Sequence, residues 1–261
     1  MTTTPPTRIE TDSFGPRAVP ADALYGAQTS RSLENFHLSG TPLPIEIVHG
    51  MAWLKLACAR ANGKLGLLPA DKEKAIVAAC RAVLSGAHDR EFPVDLYQAG
   101  SGTSSHMNLN EVVANLANEA LGGKRGAKAP VHPNDDVNMG QSTNNCFPSG
   151  AKIAVLGQTL LLLDALAALE KILRAKAAEF APILKTGRTH LQDAVPVTLG
   201  QEFGAYAHAV ALAAARIREA ATRLRELGIG GNAIGTGINT KPAFRAEILL
   251  ALNEETGGAF H

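Results

Sequence analysis

Residues 149–180 read SGAKIAVLGQTLLLLDALAALEKILRAKAAEF. Ala and Leu, the strongest helix formers, dominate, and few breakers interrupt them, so the stretch predicts one long helix. Its most apolar part, Ala154–Leu169, is short beside the ~20 residues that cross a bilayer and carries Gln158, Thr159 and Asp164. A buried helix in a large bundle of a soluble, cytoplasmic protein, with no membrane partner, is the expectation. A second long pattern runs over about 198–227. Long helices with broad apolar faces need partners, within the chain or across subunits.

Working outward, Pro44–Gly66 places Ile45, Val48, Trp53 and Leu56 at mixed three- and four-residue steps. Ala70–Gly86 repeats the pattern, with Asp71 and Glu73 early and Gly86 after it. Ser104–Leu121 predicts a further helix that stops at Gly122-Gly123. Strand signals are sparse, although Arg8–Phe36, with Gly15, Pro16, Pro20 and Gly26, has room for a short hairpin. The expected fold class is all-α. A helical domain over 1–147 is followed by part of a long-helix bundle over 148–261, divided where polar Asn145–Ser149 passes into the long helix. The first seven residues carry no secretory signal and are expected to be mobile.

The chain has 261 residues, 46% hydrophobic and 19% charged, which is enough apolar material for a substantial core. Lys+Arg (25) against Asp+Glu (24) leaves +1, so no global attraction to nucleic acid or an anionic membrane is expected. Cys58, Cys80 and Cys146 lie far apart with no CxxC pair. Neither a disulfide framework nor a structural zinc site is expected, and a reducing compartment fits best.

Three polar, glycine-containing segments stand out. In Gly100-Ser-Gly-Thr-Ser-Ser-His-Met-Asn-Leu-Asn-Glu111, glycines and hydroxyls precede a helix, whose unpaired N–H groups and positive dipole end suit an anion. The plainer alternative is a helix cap with spare hydroxyls. His132-Pro-Asn-Asp-Asp-Val-Asn-Met-Gly-Gln-Ser-Thr-Asn-Asn145 packs amides, hydroxyls, an imidazole and two carboxylates before the long helix, where a connecting loop is the alternative. His132, Asp135 and Asp136 have no recognised metal-ligand spacing. In Gly187-Arg-Thr-His-Leu-Gln-Asp193, His190 can move protons near neutral pH and Arg188 can pair with a carboxylate. A lone histidine is more often structural. Gly228–Gly237 follows a helical pattern rather than a strand and lacks a Gly-Lys-Ser/Thr ending, so it does not read as a nucleotide loop. Together the three segments describe a donor-rich pocket for a small polyanion. The competing reading is a helical assembly protein whose polar loops merely join helices.

At these residues the chain resembles the fumarase/aspartase superfamily. The resemblance spans Arg8 to about Thr240. It rests on Val19-Pro-Ala-Asp22, Tyr25-Gly-Ala-Gln-Thr29, Gly100-Ser-Gly-Thr103, Met107-Asn-Leu-Asn-Glu111, His132-Pro-Asn-Asp135, Gln141-Ser-Thr-Asn144, Gly187–Asp193 and Gly235-Thr-Gly-Ile-Asn239, in the family's order. It implies homotetramers with a central helical bundle, active sites shared between subunits, no cofactor, and reversible elimination that yields fumarate. A base removes the proton beside a carboxylate, and preorganised donors stabilise the charge that builds there. By resemblance, Thr103, Ser142, Thr143, Asn144 and Thr189 hold the substrate or its developing charge, with His190 handling hydrogen bonds and protons. Thr189 and His190 are thus the catalytic candidates. His132, Asn134 and Asp135 match a second, non-catalytic carboxylate site of fumarases.

The sequence departs from the family at Asn145 (usually Asp), His106 (usually Asn) and Ala129 (Arg in the second anion site of many fumarases). Family members run to roughly 450 residues. The half beyond this chain carries the serine loop of the proposed base, so weak or no turnover is expected from these residues alone. Gly26-Ala-Gln-Thr29, Gly100–Thr103 and His132–Asn138 look like class II fumarases. Phe92-Pro-Val-Asp95, Gln141–Asn144, Ala194-Val-Pro196 and Leu199–Phe203 look more like aspartases. Class II fumarate hydratase is slightly favoured over aspartate ammonia-lyase, and a non-catalytic helical fragment is the remaining alternative.

Overall fold

The structure is a computed structural model that describes residues 6–261. The expected mobility of the first seven residues falls largely outside that range. The fold is helical, as expected, with two short hairpins added. Two compact units divide the described residues: 6–154 together with 225–261, and 155–224.

In the first unit an antiparallel hairpin comes first, β1 (Thr7–Asp12) with β2 (Gly15–Pro20), in the segment expected to hold one. Arg8 clamps it to the following loop, donating to the carbonyls of Pro20, Ala23 and Tyr25 at 2.7 Å each. Then come α1 (Ala27–Asn35), α2 (Ile45–Lys64), α3 (Ala70–Leu84) and α4 (Thr103–Ala120). α2 is the centre of this unit and packs against α3, α4 and α7 (Phe244–Thr256). Met51, Leu54, Leu56, Ala57 and Cys58 are buried along it. The start of α5 (Thr143–Glu179) crosses α2 at two facing glycines: a Cβ on Gly50 would run into the Gly150 carbonyl, and one on Gly150 into Met51.

α4 buries many polar side chains, and three of its amides tie down irregular chain. Asn118 donates to the Val131 carbonyl at 2.9 Å and accepts the Val131 N–H at 2.6 Å. Asn115 does the same for Leu24 and Gly126, and Asn108 donates to the Glu91 carbonyl. For Asn115 and Asn118, both ends of the buried amide are paired in this way.

The division expected at 147/148 falls inside α5, so the units are cut elsewhere. Phe244, Ile248 and Leu252, spaced by four, form a buried stripe on α7 that returns to α2. Residues after 224 therefore pack with the first unit. Sequence order had grouped them with the long helices.

The second unit holds the rest of α5, a hairpin of β3 (Leu184–Thr189) with β4 (Gln192–Thr198), and α6 (Leu199–Thr222). α6 opens with a reciprocal cap between Thr198 and Gln201. Phe180 meets Phe203 edge to face at 5.1 Å. Of the stretch Ala154–Leu169, expected to be buried, Ala154 and Leu156 are buried, while the part from Leu160 onward is largely open: Leu160 is 55% and Leu161 64% exposed. Its apolar stripe has no partner among the described residues. Sequence periodicity shows that such a face needs covering, but not which chain covers it. One 18-residue window of α5 has mean hydropathy 1.7, long and apolar enough by composition to cross a membrane.

Candidate active site

The first two polar segments meet where α4 and α5 begin. A tight turn over Gly100–Gly102 leads into α4, with Ser101 and Gly102 at φ +65° and +79°. That conformation suits glycine, and a Cβ on Gly102 would also strike the Phe147 ring of α5. Thr103, the first residue of α4, is half-buried, and its hydroxyl donates to the Gly100 carbonyl at 3.1 Å. Ser105 is taken up structurally, exchanging hydrogen bonds of 2.8 Å with the Gln98 amide.

At the start of α5, the Ser142 N–H donates to Asn145 Oδ1 at 3.2 Å and the Ser142 hydroxyl accepts the Asn144 N–H at 3.3 Å. Asn144 is exposed and donates to the Ala233 carbonyl at 2.9 Å, which brings the glycine-rich Gly228–Gly237 loop against this helix start. Thr143 is nearly buried, and its Oγ1 lies 2.7 Å from His106 Nδ1. A helix N-terminus offers unpaired N–H groups and a positive dipole end. Hydroxyls of Ser142 and Thr143 add side-chain donors to it.

Behind Thr143 lies a buried polar chain of His106, Lys55 and Asn138. Lys55 of α2 is completely buried; its Nζ lies 2.6 Å from His106 Nε2 and 2.8 Å from Asn138 Oδ1. Burial pulls the Lys55 ammonium below the usual lysine range. Burial, with Lys55 beside it, holds His106 well below the usual imidazole range, so this ring is neutral. Burial also pushes the nearby Cys58 thiol well up and Cys80 to about 12, which leaves both as unreactive thiols. The available signal for Lys55 was a single charge inside the apolar spacing Met51, Lys55, Cys58.

His132 precedes a π-helical turn over Pro133–Val137, and its Nδ1 accepts the N–H groups of Asn134 and Asp135 at 3.3 and 3.2 Å. Asn134 and Asp135 are exposed, while Asp136 pairs with Lys72 at 2.9 Å. No group of three or more His, Cys, Asp or Glu side chains is arranged for a metal among the described residues.

The third segment, expected to be a connection between long helices, is the β3–β4 hairpin of the second unit. Thr189 pairs with Gln192 across its end. His190 and Leu191 form the turn, both with left-handed φ (+50° and +61°), as a two-residue type I′ turn requires. Neither is glycine, so the turn is strained, and it holds the imidazole out at the exposed tip. The structure thus brings Ser142, Thr143 and Asn144 together beside the segment bearing Thr103, and carries Thr189 and His190 on the other unit.

A helical fold with hydroxyls and amides gathered at helix starts suits the binding of a small anion. The family model described as Lyase matches residues 15–260, and the chain belongs to this lyase family, the fumarase/aspartase superfamily. A class II fumarate hydratase of Bradyrhizobium diazoefficiens is 52% identical over 93% of the chain and 52% of its own length. Among solved structures, a fumarate lyase:delta crystallin from Brucella melitensis superposes with a TM-score of 0.95 at 46% identity, over 98% of this chain and 56% of that one. A class II fumarase from Schistosoma mansoni gives 0.92 at 40% identity, over 97% and 53%. The chain spans about half the length of the curated relatives it matches.

Proposed function

We propose that the protein is a class II fumarate hydratase, interconverting malate with fumarate and water, and that this chain supplies the carboxylate-holding part of its site. The observation that carries this is the junction of α4 and α5: Thr103, Ser142, Thr143 and Asn144 stand at two helix starts, and His106 lies within hydrogen-bonding distance of Thr143. Such donors act where charge develops, on the doubly charged carboxylate formed when the neighbouring carbon loses its proton. Thr189 and His190 complete the site from the hairpin tip of another copy in the assembly, His190 as the group that handles a proton near the leaving hydroxyl. His132, Asn134 and Asp135 form a second, non-catalytic carboxylate site. No cofactor is needed. Relatives at about 50% identity named class II fumarate hydratase favour water over ammonia as the leaving group.

The protein works as a cytoplasmic homotetramer in which copies of α5 and α6 bundle together. The open leucines of α5 support this, being surface that water would otherwise wet. Gln158, Thr159 and Asp164 within the stripe favour a protein partner over lipid.

Complementation tests the function. The chain is mixed with the C-terminal half of the Bradyrhizobium diazoefficiens relative, and fumarate absorbance is followed with malate or aspartate. Fumarate from malate supports the proposal; fumarate from aspartate alone makes the protein an ammonia-lyase; no fumarate from a folded assembly contradicts both.

A further inference from the structure

Resting on the carboxylate-binding role proposed for Thr143, we infer that Lys55 and His106 are positioning residues that fix the Thr143 hydroxyl as a donor toward the bound carboxylate. The direction of each hydrogen bond follows from its neighbour. Asn138 Nδ2 donates to the Gln141 carbonyl at 3.3 Å, which turns Oδ1 toward Lys55 as an acceptor. Lys55 Nζ therefore donates there, and its other N–H points at His106 Nε2, 2.6 Å away. The Lys55 ammonium has three N–H groups and no lone pair, so Nε2 can only accept from it. With Nε2 accepting, the one proton of the neutral ring sits on Nδ1.

Nδ1–H then donates to Thr143 Oγ1 at 2.7 Å. An oxygen that accepts in this bond keeps its own proton for another partner. Were the relay reversed, Nδ1 would accept the Thr143 proton and no hydroxyl donor would remain for the ligand. No carboxylate hydrogen-bonds Lys55 or His106 among the described residues; the titratable groups nearest Lys55 are His106 and the thiols of Cys58, Cys80 and Cys146, from α2, α3 and α5. The direction of donation is thus set inside the fold before a ligand arrives, and His106 neither touches the substrate nor titrates with it.

The test reads the tautomer directly. The chain carrying 15N-histidine is studied by 15N–1H correlation NMR at neutral pH, the His106 signals being those lost in His106→Gln. The inference expects a protonated Nδ1 and an unprotonated Nε2. In the complemented assembly, His106→Leu, which removes the donor, should weaken succinate binding on the order of tenfold, the scale of one hydrogen bond to a charged group. His106→Asn, which restores an amide donor, should lose less. A protonated Nε2, or equal losses in the Leu and Asn variants, overturns the inference while the dicarboxylate function stands. Absence of succinate binding by the unaltered assembly overturns that function, and this inference with it.

Discussion

The carboxylate of Glu111, buried in the middle of α4, accepts the backbone N–H of Gly26 at 2.9 Å. It also takes the N–H groups of Gln28 and Thr29 and the Thr29 hydroxyl, at 2.9, 3.1 and 2.6 Å. A distant side chain thus caps α1, whose own sequence provides no cap. Burial raises the Glu111 carboxyl above the usual carboxylate range, and these four donors offset part of that rise.

Glu111→Gln should therefore cost about 2–4 kcal/mol, because an amide turns an N–H group toward donors that need an acceptor. Urea denaturation checks this. A loss under about 1 kcal/mol would mean that α1 finds its acceptors elsewhere.

Asp95 gives a pH dependence. Burial works against its carboxylate, but the N–H groups of Tyr97, Ser39 and Gly40 and the Ser39 hydroxyl outweigh it and hold the carboxyl down to about 2. A group depressed in the folded state stabilises above its unfolded pKa, near 3.8, and loses that contribution as pH falls toward 2. The stability gap between the wild type and Asp95→Asn should be full at pH 6 and shrink between about pH 4 and 2. A gap independent of pH would contradict the role of those donors.

Leu161, 64% exposed on α5, tests the assembly. Leu161→Glu places a charge in the stripe that bundles with other copies, a placement tolerated only when paired. Light scattering should show tetramers of the complemented wild type and smaller species for the variant. Equal masses would place the interface elsewhere.

His190→Asn in the complemented enzyme should lower kcat roughly a hundredfold, with a much smaller change in KM, because a proton-handling group acts mainly in the transition state. Steady-state kinetics with malate decides it. A change confined to KM would reduce His190 to a binding contact.

The helices α2 to α6 were legible because their apolar residues recur at helical spacing over many turns, and their ends lie within a few residues of expectation, apart from α5, which begins six residues earlier, at Thr143, and α6, which ends five residues earlier, at Thr222. α1 was not legible, being nine residues long and capped by Glu111 from far along the chain. α7 was missed because its stripe of Phe244, Ile248 and Leu252 is narrow and interrupted by charge. Nor did Lys185-Thr-Gly-Arg-Thr189 alternate as a strand would, and its turn carries His190 and Leu191 where Asn-Gly would signal a hairpin. In the candidate site, Ser142, Thr143 and Asn144 stood out by composition, a polar cluster ahead of an apolar helix. Lys55 did not, since a single lysine between leucines reads as a surface residue until its partners on α4 and near Asn138 are known.

A crystal structure of the complemented assembly with succinate tests the central claim most directly. One carboxylate of succinate should accept hydrogen bonds from Thr103, Thr143 and Asn144, with Thr189 and His190 from a hairpin tip within reach of the same molecule. Succinate bound away from the α4 and α5 starts, or an assembly in which no copy brings His190 to Thr143, would contradict it.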